Sequence, residues 1–103
     1  MAEKRKPTHL LADIKARVAA DGVAAFTKSA LDGGRKMRLT VGEMLDVIAA
    51  LAHGDFYKSM TTHADHRLWQ DVYHAPTPVG DDAYIKFTLK PGAVVISFKE
   101  KGT

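Results

Sequence analysis

Lysine, tyrosine and glutamine sit within runs that read as strands. Lys58 falls in Asp55-Phe56-Tyr57-Lys58-Ser59-Met60-Thr61-Thr62, Gln70 in Asp65-His66-Arg67-Leu68-Trp69-Gln70-Asp71-Val72-Tyr73, and Tyr84 and Lys99 in the last two extended segments. Side chains carried on strands are held by rigid backbone, as a site requires. The chain has no cysteine, which removes thiolate nucleophiles, thiolate metal sites and disulfides together. One chemistry that lysine, tyrosine and glutamine can run without a metal is cleavage of RNA by its own 2′-hydroxyl. There the substrate brings the nucleophile, and the protein has only to position it, move protons and stabilise charge on the phosphate. Lysines can clamp the developing dianionic phosphorane, a tyrosine or a depressed-pKa lysine can transfer protons, and glutamine or tryptophan can hold or stack a base. DNA, lacking the 2′-hydroxyl, would be inert to it.

The histidines suggest two further roles. His63 and His66 stand three residues apart with His74 beyond, but strand geometry sends such a pair to opposite faces and no carboxylate has motif spacing, so no metal site is expected. His66 or His63 could instead serve as a proton-transfer group near Lys58. The lone Trp69 reads as core packing.

These residues need elements to hold them. Thr8 can cap a first helix with Leu11, Ile14 and Val18 on one face, closed at Asp21-Gly22. Residues 23–26 follow as a short buried strand or linker, and residues 27–32 as a short helix halted by Gly33-Gly34. Thr40-Val41-Gly42-Glu43 is a capping box opening a helix that puts Leu45 and Ile48 inward and stops at Gly54. From Asp55 the period changes to two. Strands are expected over 56–62, 67–74, 83–90 and 93–100, with 75–82 a loop and Pro91-Gly92 a hairpin turn. Ala83, Ile85, Phe87 and Leu89 alternate with Tyr84, Lys86, Thr88 and Lys90, so pairing through the turn lets Tyr84, Lys86, Ser97 and Lys99 share an open face. The first two strands carry apolar and polar residues of the same parity, which leaves their outward side open. The fold class that follows is α+β, with N-terminal helices packed on one face of an antiparallel sheet.

Composition sets the remaining bounds. The 103 residues suit one domain spanning 1–103, with 1–7 a flexible basic tail. Hydrophobic residues at 46% and charged residues at 26% describe a chain that folds. The net charge of +3 is concentrated early: residues 1–40 hold nine Lys/Arg against four acids, and 41–103 hold six against eight. Such a charge is compatible with a polyanionic partner. Asp13, Lys15 and Arg17 interrupt any secretory apolar segment, and no run reaches the roughly 20 residues a bilayer needs, so a cytoplasmic location without membrane contact is expected.

Long runs at matched spacing carry a resemblance. Residues 55–62, Asp65-His66, 69–73, Tyr84-Ile85-Lys86 and 97–101, with Glu3-Lys4-Arg5-Lys6-Pro7 and Ser29-Ala30-Leu31, resemble the motility quorum-sensing regulator toxin family, MqsR, over nearly the whole chain. That resemblance implies a RelE-like fold and a metal-independent mRNA interferase of a toxin–antitoxin pair, cutting at GC-containing triplets without a cofactor. It implies catalytic or substrate-contacting roles for Lys58, Gln70, Tyr84 and Lys99. The implied partner is a zinc-binding helix-turn-helix antitoxin, MqsA-like, through which alone the chain would meet DNA. Departures from the pattern, His63, Gly33-Gly34 and a longer 75–82 loop, touch loop geometry and not those four positions.

The expected function is therefore a type II toxin that cleaves single-stranded mRNA to a 2′,3′-cyclic phosphate and a 5′-hydroxyl. Lys58 and Lys99 stabilise the phosphate, one of them or Tyr84 moves protons, Gln70 places the substrate, and Lys86, Tyr57 and His66 contact RNA. The alternative is a non-catalytic RNA-binding or partner-binding module using the same sheet face.

Overall fold

Helical spacing in the first half of the chain and alternation in the second become three helices laid on one face of a five-stranded antiparallel sheet. This is seen in a computed structural model that describes residues 2–102. The α+β expectation is met.

Helix α1 spans Leu11–Asp21 and buries Leu11, Ile14 and Val18. Thr8 does not cap it. A buried carboxylate needs hydrogen-bond donors, and Asp71, wholly buried, takes the Thr8 N–H at 3.0 Å and the His9 N–H at 2.8 Å. The Thr8 hydroxyl turns to Ser59, at 2.8 Å. After Gly22, at φ 60°, residues Gly22–Ala25 form a 3-10 turn where a strand or linker was expected, and Phe26 bridges to Val95.

Helix α2, Lys28–Lys36, is capped by the Thr27 hydroxyl and runs through Gly33-Gly34 instead of stopping there. The two glycines are contact points. A Cβ on Gly33 would stand 1.9 Å from the Phe98 carbonyl oxygen, and one on Gly34 would stand 2.3 Å from Met44 Sδ.

Helix α3, Val41–Ala49, has the expected capping box: the Thr40 hydroxyl accepts from the Glu43 N–H at 3.1 Å and the Glu43 carboxylate from the Thr40 N–H at 2.9 Å. Its buried face is Met44, Val47 and Ile48, while Leu45, expected inward, is partly buried against the core's edge. The helix ends at Ala49, and Gly54 belongs instead to a 3-10 turn, His53–Asp55. Among the described residues no helix is long and apolar enough to cross a membrane.

The strands are β1 Glu3–Lys4, β2 Phe56–Thr61, β3 Trp69–Pro76, β4 Asp82–Phe87 and β5 Val95–Glu100, adjacent in that order. Strand β1 corrects the expectation of a flexible tail, because Glu3 and Lys4 pair with Met60 and Ser59. Strand β3 runs on through Ala75-Pro76, shortening the expected 75–82 loop. Tyr73, Ile85, Phe87 and Phe98 meet Ile14, Val18, Met44 and Ile48 in the core. The Arg17 guanidinium ties down the β4–β5 turn through the carbonyls of Lys90, at 3.0 Å, and Gly92, at 2.8 Å.

Candidate active site

Strand register decides which side chains face away from the helices. Ile85 and Phe87 lie in the core, so Tyr84 and Lys86 of β4 point to the open face. Cross-strand partners share a face. Tyr84 stands opposite His74 on β3 and Lys99 on β5, while Lys86 stands opposite Val72 and Ser97. Lys58 of β2 is also opposite Val72. A register shift between Phe56 and Lys58 is what lets Phe56 meet Tyr73 in the core while Lys58 faces outward.

The result is a cationic and aromatic cluster. The Lys99 and Lys86 ammonium groups lie 5.5 Å and 5.8 Å from the Tyr84 ring centroid, and Lys58 lies 5.4 Å from that of Tyr57. His74 sits between the tyrosines, stacked on Tyr57 at 4.4 Å and tilted toward Tyr84 at 5.3 Å. Arg5 adds its guanidinium 5.6 Å from the Tyr57 ring.

The electrostatics divides the cluster by role. The Lys58 ammonium donates to the Glu3 carboxylate of β1, which raises its pKa, and nearby Glu3 charge adds to this against some desolvation. It therefore remains a fixed cation. Burial lowers the pKa of Lys86, and the like charges of Lys99 and Lys58 lower it further. Burial raises that of Tyr84, keeping the phenol protonated, with Lys58 opposing. Burial lowers that of His74, helped by Lys101 and opposed by Asp82. Its Nε2 is buried with no hydrogen-bond partner among the described residues. Such a set offers a fixed cation, a protonated phenol and an amine with reduced proton affinity within one patch, the complement that general acid–base catalysis at a phosphate needs.

The seven residues singled out in the sequence divide as follows. Lys58, Tyr84, Lys86, Lys99 and Tyr57 come together. Gln70 lies on the same face, opposite Met60, four residues along β3 from His74, so it flanks the cluster. His66 is apart from it, exposed in the 62–68 segment beside Asp65 and Arg67. His63 lies in that segment as well, and among the described residues no three His, Asp or Glu side chains stand together as metal ligands. The histidine that joins the cluster is His74. Its signal was available: it shares the parity of Gln70, and so belonged outward once Gln70 did.

Comparison with known proteins gives the same family as the sequence runs. A family model described as motility quorum-sensing regulator, toxin of MqsA, matches residues 6–100. The chain is also similar to the mRNA interferase toxin MqsR of Escherichia coli (strain K12), with 43% identity over 99 residues, covering 96% of this chain and 99% of that protein.

Proposed function

The chain belongs to the motility quorum-sensing regulator toxin family, and from that membership we propose that it is the mRNA-cleaving toxin of a toxin–antitoxin pair, with the β2–β5 open face as its active site. The observation that carries this reading is the convergence of Lys58, Lys86 and Lys99 on Tyr84 and Tyr57.

The reaction is metal-independent attack of an RNA 2′-hydroxyl on the adjacent phosphorus, leaving a 2′,3′-cyclic phosphate and a 5′-hydroxyl. Lys86, with its lowered pKa, takes the 2′-hydroxyl proton. Lys58 and Lys99 hold the charge that grows on the non-bridging oxygens. Tyr84, kept protonated by burial, donates to the departing 5′-oxygen. Tyr57 offers an exposed ring on which a base can stack, and Gln70 places the neighbouring nucleotide. Cleavage falls at GC-containing triplets of single-stranded mRNA in the cytoplasm. The partner is a zinc-binding helix-turn-helix antitoxin resembling MqsA, and contact with DNA comes only through the toxin–antitoxin complex.

The test is incubation of the purified chain with a defined GC-containing single-stranded RNA in EDTA, reading cut position and new 3′ end by mass spectrometry. A cyclic phosphate at a fixed triplet, absent for Lys58→Ala, is expected. Intact RNA that nonetheless binds tightly would replace the nuclease by a binding module using the same face.

A further inference from the structure

The active-site face does not end at Lys99. Beyond it a groove of about 790 Å³ opens between α2 and β5, with Lys36, Met37, Arg38, Phe98 and Lys99 among its lining. We infer that this groove is an RNA subsite that holds the nucleotide adjoining the cleaved bond, its cations on the backbone phosphate and an exposed carboxylate toward the base. The inference rests on the active-site assignment above, because Lys99 is the residue the two regions share.

The Arg38 residue lies just past α2 at φ 65°, with the Leu39 N–H bonded to the Gly34 carbonyl at 3.0 Å. This is the left-handed helix closure that glycine occupies without strain and a branched-free cation does not. Folding alone would favour glycine there, so an arginine at that position points to a use for its charge. Its side chain is exposed and forms no ion pair among the described residues, and the same is true of Lys36, whose charge reaches Asp32 only at longer range. By contrast Asp32, which also lines the groove, is already held by Lys28 at 3.0 Å and Arg35 at 3.2 Å. Two open cations beside Lys99 suit a phosphodiester chain leaving the active site.

The rest of the lining suits a base. Asp81, exposed at the rim, supplies a carboxylate able to accept from base amino and imino groups. Glycine at position 33 sets the groove's depth, since α2 approaches β5 so closely that a Cβ would overlap the Phe98 carbonyl.

The test measures binding of a fully 2′-O-methylated single-stranded RNA, which cannot be cut, to the full chain across a salt series. Removing Lys36 and Arg38 together (Lys36→Gln, Arg38→Gly) is expected to lower affinity on the order of tenfold. It should also flatten the slope of log K against log salt by about 1.4, roughly 0.7 per phosphate. Arg38→Gly should keep or raise the thermal midpoint, so a loss of binding is not a loss of fold, and Arg38→Lys should restore most of the slope. Lys90→Gln, on the β4–β5 turn, is the control for loss of a single lysine charge away from the groove. Unchanged affinity and slope in the double variant would overturn the subsite. A wild-type chain that binds through Lys36 and Arg38 but never cleaves RNA would retain the subsite and overturn the nuclease.

Discussion

The Glu3 carboxylate of β1 accepts a hydrogen bond from the Lys58 ammonium of β2, although the strand register places Glu3 opposite Met60. The diagonal pair holds Lys58 charged and aimed across the sheet, and it lowers the Glu3 pKa in return. It also sets a carboxylate where an RNA phosphate would have to come. Replacing Glu3 by Gln keeps the shape and removes the repulsion. We expect Glu3→Gln to tighten binding of uncleavable RNA a few-fold, most at low salt where exposed charges are least screened. Weaker binding would show that Glu3 organises the site more than it competes.

Tyr84 and Lys99 face one another across β4 and β5, and each should contribute at the transition state. Tyr84→Phe preserves the ring beside His74 and removes only the hydroxyl that donates the proton, so kcat should fall about 10²–10⁴-fold with little change in KM. Lys99→Ala removes a charge from the developing phosphorane and should cost about 10²–10³-fold in kcat. Single-turnover cleavage assays decide this. Equal effects on RNA binding and turnover would move both residues from catalysis to simple attachment.

The pH profile follows from two opposed shifts. Lys86 must lose its proton to act as base, and its lowered pKa brings that step down toward working pH. Tyr84 must keep its proton, and burial moves its loss upward. Activity should therefore rise with pH as Lys86 deprotonates and fall as Tyr84 ionises. Lys86→Arg keeps a cation for RNA but cannot act as base. Its expected phenotype is near-normal binding with slow cleavage, and a full rate would assign the base elsewhere.

The adjacent glycines of α2 should behave differently. Gly33→Ala drives a methyl against the Phe98 carbonyl, a backbone atom that cannot rotate away. The helix must separate from β5, with a loss of about 3 kcal/mol or more. Gly34→Ala meets Met44 Sδ and Cε, the movable end of a side chain. Alanine's helix preference of about 1 kcal/mol offsets part of that clash, leaving a net loss near 1 kcal/mol. Comparing the two by denaturant unfolding tests whether close packing, not helix termination, is what these residues serve.

Those glycines show where sequence stops being readable. A glycine pair inside a short helical pattern is locally indistinguishable from a stop, and only the nearness of β5 gives it another meaning. The same holds for Thr8, a good local cap that Asp71 captures from the sheet. Strand β1 has no period to read in two residues, and what orders them is pairing with β2 and the Glu3–Lys58 contact. Features fixed by near neighbours were legible: the Thr40–Glu43 box, the alternation of β4, and the shared outward parity of Tyr84, Lys86 and Lys99. For β2 and β3, where both parities mix apolar and polar residues, only tertiary structure settles the outward side. The parity that His74 shares with Gln70 becomes informative only once the side of Gln70 is known.

Tyr73 offers a test of the core that is independent of function. Its ring is wholly buried, edge-on to Phe56 at 5.6 Å and to Phe87 at 5.8 Å, but its hydroxyl has no hydrogen-bond partner among the described residues. Desolvation, with Asp71 and Asp55 nearby, pushes its pKa from 10.0 up to about 12. The fold thus favours the neutral phenol. This contribution is fully present below pH 10 and is lost as pH rises toward 12, by about 2–3 kcal/mol at most. Tyr73→Phe keeps both ring contacts and removes a buried group whose desolvation nothing repays. We expect it to leave stability at pH 7 unchanged or higher by up to about 1 kcal/mol, and to blunt the alkaline loss. A variant destabilised at neutral pH would mean that the hydroxyl finds a partner in solution, an ordered water being the simplest.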